Sequence, residues 1–403
     1  MNLSWNRKAA ALLLVLPIAA CSGQAGSPPG LLPADEKPAQ APDVAAEASP
    51  ETDKTPAAPA QPSGGEDTSD AAAGGAFAEL TGETQVLADN LDTPWEIQFD
   101  GDTVYLTLRG GSIVKLADGR QTLQPVALNP GVLEAGEGGL LGLALAPDFA
   151  DSRAAYVYHT YGKGNEMRNR VIRIEEEPSG KSWTETATVL DDIPGARVHD
   201  GGRIAFGPDG MLYVTTGDAQ DDGSAQDTGS VAGKILRMTP EGEVPSDNPI
   251  EGSYVYSYGH RNSQGIDWLE NGTMYASEHG PSGSSGGHDE MNEIKPGANY
   301  GWPDVLGGET GDGLTPPLYH TGEDALAPSG IAATPDGTLL VANLRGESLT
   351  EFDPATGEMR EVWSGGGRIR DAAVHEGRIY ILTNNTDGRG SPQSGDDKLL
   401  ILQ

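Results

Sequence analysis

HDGGRIAFGPDGMLYVTTGD, residues 199–218, reads as two short β-type runs around a tight turn. Apolar residues cluster on both sides of Pro208-Asp209-Gly210, and Gly, Asn and Asp suit turns because they tolerate positive φ. The same texture recurs along the chain. It is found in FDGDTVYLT (99–107), LALAPDF (143–149), WLENGTMYAS (268–277), AATPDGTLLVA (332–342) and VHEGRIYILT (374–383). With the 205–216 run, that makes six copies at intervals of roughly 40 to 65 residues, a repeat of one supersecondary unit. After a loop, a further β-type run follows each copy: SIVKL (112–116), VIRIE (171–175), KILRM (234–238), MNEIK (291–295), SLTEF (348–352) and KLLIL (398–402). Short strands repeated in this way predict an all-β, six-bladed β-propeller over residues 81–403. No long helical pattern follows residue 80. The strand around Thr84–Leu91 is expected to join the blade of the C-terminal strand and close the ring. A β-sandwich would need more even spacing and fewer copies.

The first 80 residues have a different character. Two positive charges in MNLSWNRK precede an apolar run, Ala9 to Ala20, which is the layout of an export signal and too short to span a bilayer comfortably. Its end, Ile18-Ala19-Ala20-Cys21, resembles the lipobox of bacterial lipoproteins. That resemblance implies a signal peptide over 1–20, lipidation of Cys21 and a lipid anchor at the periplasmic face of a bacterial membrane, with Ser22 suiting the outer membrane. Residues 21–80, rich in Ala, Pro and acids, are read as a disordered tether because they offer too little apolar area to offset ordering. Cys21 is the only cysteine, which excludes a disulfide or a cysteine nucleophile in the mature domain.

Lys and Arg total 26 against 60 Asp and Glu, a formal charge of −34 that argues against nucleic-acid partners. Clusters of Arg are informative on such a chain. His199 opens one hairpin and Asp218 ends it, so the two should meet at one end of a blade. A carboxylate that orients an imidazole makes a general base, although a lone His beside an Asp is more often a structural hydrogen bond. Arg261 and Asn262, in YGHRNSQG (258–265), offer donors to a carbonyl or carboxylate. The loop from Ser277 to Pro303 is rich in Gly and acids and carries oxygen donors that calcium favours. Arg345 stands alone, whereas Arg368 and Arg370 share a face of an extended segment and suit an anionic, multi-carboxylate ligand.

Taken in order, GEGGLLGLALAPDF (136–149), the 199–218 stretch, YGHRNSQGI (258–266), EHGP (278–281), NYGWP (299–303) and RIRD (368–371) resemble the glucose/sorbosone dehydrogenase family over about residues 84–403. The resemblance implies oxidation of an aldose sugar at C1 to the lactone, with pyrroloquinoline quinone (PQQ) and Ca2+. It implies His199 as the base, Asp218 as its partner and Arg261 beside the reacting quinone oxygens. It further implies cofactor contacts from Glu137, Asn262, Arg345, Arg368 and Arg370. Gly280 and Pro281 carbonyls match ligands of the cofactor-bound calcium, and Glu290 with the Tyr300 carbonyl matches a second calcium site. Two positions depart from the family's glucose enzyme: Glu137 replaces Gln, and Arg345 replaces Lys. The electron acceptor is marked by no motif. Two rivals are a cofactor-free propeller that binds sugars or proteins, and a calcium-dependent lactonase, whose central acidic side chains fit these arginine-bearing loops poorly.

Overall fold

Each repeated run lies within the hairpin that opens a four-stranded antiparallel blade. In the computed structural model, β1 (Thr84–Ala88) is set aside for the last blade. The first blade is β2 (Pro94–Asp100), β3 (Thr103–Leu108), β4 (Ser112–Ala117) and β5 (Arg120–Ala127). The second is β6 (Leu140–Leu145), β7 (Ala154–Lys163), β8 (Glu166–Glu176) and β9 (Trp183–Gly195). The third is β10 (Ile204–Phe206), β11 (Leu212–Thr216), β12 (Lys234–Met238) and β13 (Val255–Tyr258). The fourth is β14 (Ser263–Trp268), β15 (Met274–Glu278), β16 (Glu290–Ile294) and β17 (Tyr319–His320). The fifth is β18 (Pro328–Ala333), β19 (Leu339–Asn343), β20 (Ser348–Asp353) and β21 (Glu358–Ser364). The sixth is β22 (Ile369–His375), β23 (Arg378–Thr383) and β24 (Leu399–Leu402), completed by β1. The pairing of Thr84 with Leu402 and Val86 with Leu400 closes the ring as the sequence suggests. The first strands of neighbouring blades touch all the way round, making a six-bladed propeller with a central axis. The structure describes residues 80, 82–281 and 286–403; Cys21, the export signal and residues 21–79 of the tether lie outside them.

Alternation along the strands explains the packing. Leu212 and Val214 of β11 face the second blade, whereas Tyr213 between them faces the fourth. The period of two thus sends successive side chains into two different cores. The result is six apolar layers, one at each junction between blades. One pairing is absent from the sequence reading. β5 and β9 lie parallel through Val126 with Trp183 and Ala127 with Thr184, which joins the first two blades into one eight-stranded sheet.

In an antiparallel blade, the chain entering the first strand and the loop after the second strand lie at the same end. Apart from Arg370 on β22, Glu290 on β16 and the 299–303 stretch between β16 and β17, the chemistry-bearing segments use one of these two places. They are 135–139, 197–203, 217–220, 259–262, 278–281, 343–345, 366–368 and 384–389.

Candidate active site

His199 and Asp218 meet across their hairpin: His199 Nδ1 lies 2.8 Å from Asp218 Oδ1. Asp218 is fully buried, takes the Gln220 N–H on the same oxygen at 2.8 Å, and accepts from Trp302 Nε1 on Oδ2 at 2.9 Å. An ionised carboxylate only accepts, so the proton of a neutral ring sits on Nδ1 and Nε2 carries the lone pair. Gly217 lets the two ends approach, since any Cβ there would collide with the His199 carbonyl. His199 itself has φ of 65°, a conformation that costs a non-glycine residue roughly 1–2 kcal/mol. Surrounding contacts must therefore hold it. One is Glu137, whose Oε2 accepts the His199 N–H at 3.0 Å.

Arg261 and Asn262 are set by Glu278, whose Oε1 accepts both of their backbone N–H groups. His260 Nδ1 binds the other oxygen of Glu278 at 2.9 Å and stacks on Tyr300, which makes it structural. The Arg261 guanidinium lies over the Trp302 ring, 5.3 Å from its centroid. Burial pulls Arg261 below the usual arginine range, against the pull of Asp218 and Glu278.

Arg368 and Arg370 do share a face, and both reach Asp387. Arg368 Nη2 is 2.9 Å and Arg370 Nη2 3.9 Å from its Oδ2. Arg370 also donates to Gln264 Oε1 and Asn384 Oδ1, each at 2.9 Å. Its complete burial brings it down to about 9, still cationic at neutral pH. Arg345, by contrast, is exposed at the rim. Glu137 is no uncompensated charge: its Oε1 pairs with Arg389 at 2.7 Å. Burial works to raise its pKa, but Arg389 and its other neighbours together hold it below the ordinary carboxylate value.

Gly280, Pro281, Glu290 and Tyr300 line one pocket with Arg261, Glu278, His279 and Trp302. Glu278 and Glu290 are direct cross-strand partners, an arrangement that disfavours two bare charges. Burial and Glu278 accordingly push Glu290 up to about 8. Among the described residues, no group of three or more His, Cys, Asp or Glu side chains converges as a metal site.

Among the described residues around this axis, the buried Nε of Arg261, Arg368 and Arg370, Nη2 of Arg203 and Nδ2 of Asn262 lack a hydrogen-bond partner, as does Nε2 of His279, whose role as donor or acceptor depends on its tautomer. Unpaired buried donors are costly and call for a ligand. Several of the supporting residues were not singled out from sequence. His279 sits inside the quoted EHGP motif, and burial lowers its imidazole to about 4, leaving it neutral. Trp302 sits inside NYGWP. Asp387 and Arg389 lie in a loop without any motif.

A propeller with a cationic pocket on its axis and a His–Asp pair beside it defines a class of enzyme in which the cofactor brings the reactivity. This chain belongs to the Glucose / Sorbosone dehydrogenase family, whose model matches residues 91–400. It is 31% identical over 357 residues to the aldose sugar dehydrogenase YliI of Escherichia coli, covering 77% of this chain and 92% of that one. It is 30% identical over 257 residues to quinoprotein glucose dehydrogenase B of Acinetobacter calcoaceticus, covering 56% and 53%. Among solved structures, the PQQ-bound aldose sugar dehydrogenase of Streptomyces coelicolor superposes with a TM-score of 0.74 at 40% identity, covering 80% of this chain and 98% of that one.

Proposed function

We propose that this chain, an oxidoreductase of that family, oxidises aldose sugars at C1 to the lactone, with PQQ and calcium in the axial pocket and His199 as the base. The unpartnered buried N–H groups of Arg261, Asn262, Arg368 and Arg370 carry this reading, because they are donors without acceptors beside the His199 imidazole. PQQ fits them as a flat, multiply acidic acceptor. Arg368 and Arg370 would hold its carboxylates, helped by Arg345 at the rim, while Arg261 and Asn262 would offer donors to its oxygens and Glu137 would border it. Carbonyls of Gly280 and Pro281 would hold the calcium beside it, and Glu290 with the Tyr300 carbonyl a second ion. PQQ bound there supplies the acceptor for the hydride leaving C1, and calcium supplies Lewis acidity at the quinone carbonyl.

The protein's own part is proton management and charge. His199 Nε2 takes the C1 hydroxyl proton. Asp218 stabilises the resulting imidazolium, and its fixed position holds the ring in the correct tautomer. Arg261 offers positive charge where negative charge develops. Adding PQQ and Ca2+ to the purified chain should produce sugar-dependent dye reduction with at least one aldose. Silence across an aldose panel would favour the cofactor-free propeller. The lipobox-like end of the leader supports anchorage through Cys21 at the periplasmic face. Cys21→Ser should then abolish palmitate labelling, and persistent labelling would refute the anchor.

A further inference from the structure

We propose that Arg389 and Glu137 form a latch across the mouth of the pocket that holds the backbone of His199, making both of them positioning residues for the base. The inference rests on the reading of His199 given above. Glu137 belongs to the segment entering β6, and Arg389 to the loop between β23 and β24 on the last blade. One carboxylate oxygen takes Arg389 Nη1 at 2.7 Å, and the other takes the His199 N–H at 3.0 Å. Glu137 also donates its own N–H to the Arg197 carbonyl at 2.8 Å. The two segments are thus joined on either side of Val198, directly before a residue whose φ of 65° needs external support. Arg109 fixes the segment from behind, donating Nη2 to the carbonyls of Gly136 at 2.6 Å and Gly138 at 3.0 Å.

The far end is fixed as well. The Arg389 N–H donates to Asp387 Oδ1 at 2.9 Å, and the second oxygen of Asp387 takes Arg368. The acid that faces the pocket arginines and the cation that holds Glu137 therefore sit on one short turn. The Arg389 side chain is 51% exposed, so the ion pair contributes little to stability. What it does is orient. It leaves the Glu137 carboxylate ionised, and an ionised oxygen is the stronger acceptor for the His199 amide. The charged or titratable groups facing Glu137 are Arg389, His279, Arg109, Arg261, Arg370 and Asp200. Arg389 is the strongest of them in opposing burial. A carboxylate where the family's glucose enzyme has an amide is thus matched by a partner brought from the opposite end of the chain.

The test uses full-length chain labelled with 15N-histidine, whose seven histidines give a tractable spectrum. The His199 amide shift is followed from about pH 5 to pH 8, across the upper tail of ordinary carboxylate titration. In the parent it should stay nearly flat. In Arg389→Met a titration step should rise into this range, and the acid limb of kcat should move with it while KM and PQQ affinity hold. Arg389→Lys should restore the parent profile in part. Glu137→Ala should lower kcat about tenfold through lost alignment, and Glu137→Gln, which keeps an oxygen for the His199 amide, should regain part of that loss. An amide profile in Arg389→Met indistinguishable from the parent, or parental kcat in Glu137→Ala, overturns the latch. The amide readout needs neither PQQ nor turnover, so failure of the latch and failure of the dehydrogenase reading give different results.

Discussion

His199 is held by three neighbours from two loops. Asp218 fixes the ring, Glu137 fixes the backbone, and Ala219 donates its N–H to the His199 carbonyl at 3.2 Å. Removing the ring should remove the chemistry and leave the pocket. His199→Ala is expected to lower kcat by about 10²- to 10⁴-fold, the range for a lost general base, with PQQ affinity within about twofold because the ring donates nothing to the carboxylate end. Steady-state dye reduction and a PQQ titration measure the two; near-parental turnover would mean that another group takes the proton. The pair was legible in the sequence because both residues flank one hairpin, and hairpin ends share a blade end. Arg368 and Arg370 were legible from simple alternation. Glu278, Trp302, Asp387 and Arg389 were not, because their value depends on where neighbouring amides and guanidinium groups point. No periodicity encodes that.

At the level of the strand, period-two patterning carries the fold. Every quoted run fell within the inner hairpin of a blade, and each following run became a third strand. The parallel contact of β5 with β9 escaped notice because β5 is mostly exposed and the pairing is made by backbone at two positions. Phe352 of β20 shows what one side chain contributes. It is fully buried between the fourth and fifth blades and lies on a strand that supplies no pocket residue. Phe352→Ala should destabilise the protein by about 3–5 kcal/mol, measured as a fall in Tm and in denaturation midpoint. Turnover per folded molecule should stay at the parental level. A change of less than about 1 kcal/mol would mean that the apolar layers do not bear the load assigned to them.

Across the whole molecule, charge sets the conditions under which the ring holds. Burial raises Asp200 to about 7, and it also raises Glu96 and Asp371, which flank Arg203 on the axis. In an unfolded chain such carboxyls lose their protons near pH 4. Between that pH and about 7 the folded state keeps the Asp200 proton that the unfolded state releases, so stability falls as pH rises through this window. The charge of −34 acts in the same direction as more carboxylates ionise. Tm is therefore expected to drop between pH 5 and pH 8, less steeply in Asp200→Asn. About 0.5 M salt should recover part of the drop at pH 8 by screening. A Tm that climbs steadily over that range would contradict this balance.

The sharpest measurement is a titration of PQQ into the full-length chain with calcium present, set beside the Arg368→Ala/Arg370→Ala variant. One PQQ should bind per chain, and loss of the two arginines should weaken it by at least about 100-fold, as expected for charge-assisted hydrogen bonds removed from a buried site. Equal affinity in the parent and the variant, or no saturable binding to the parent, would show that the cationic axis is not a quinone pocket.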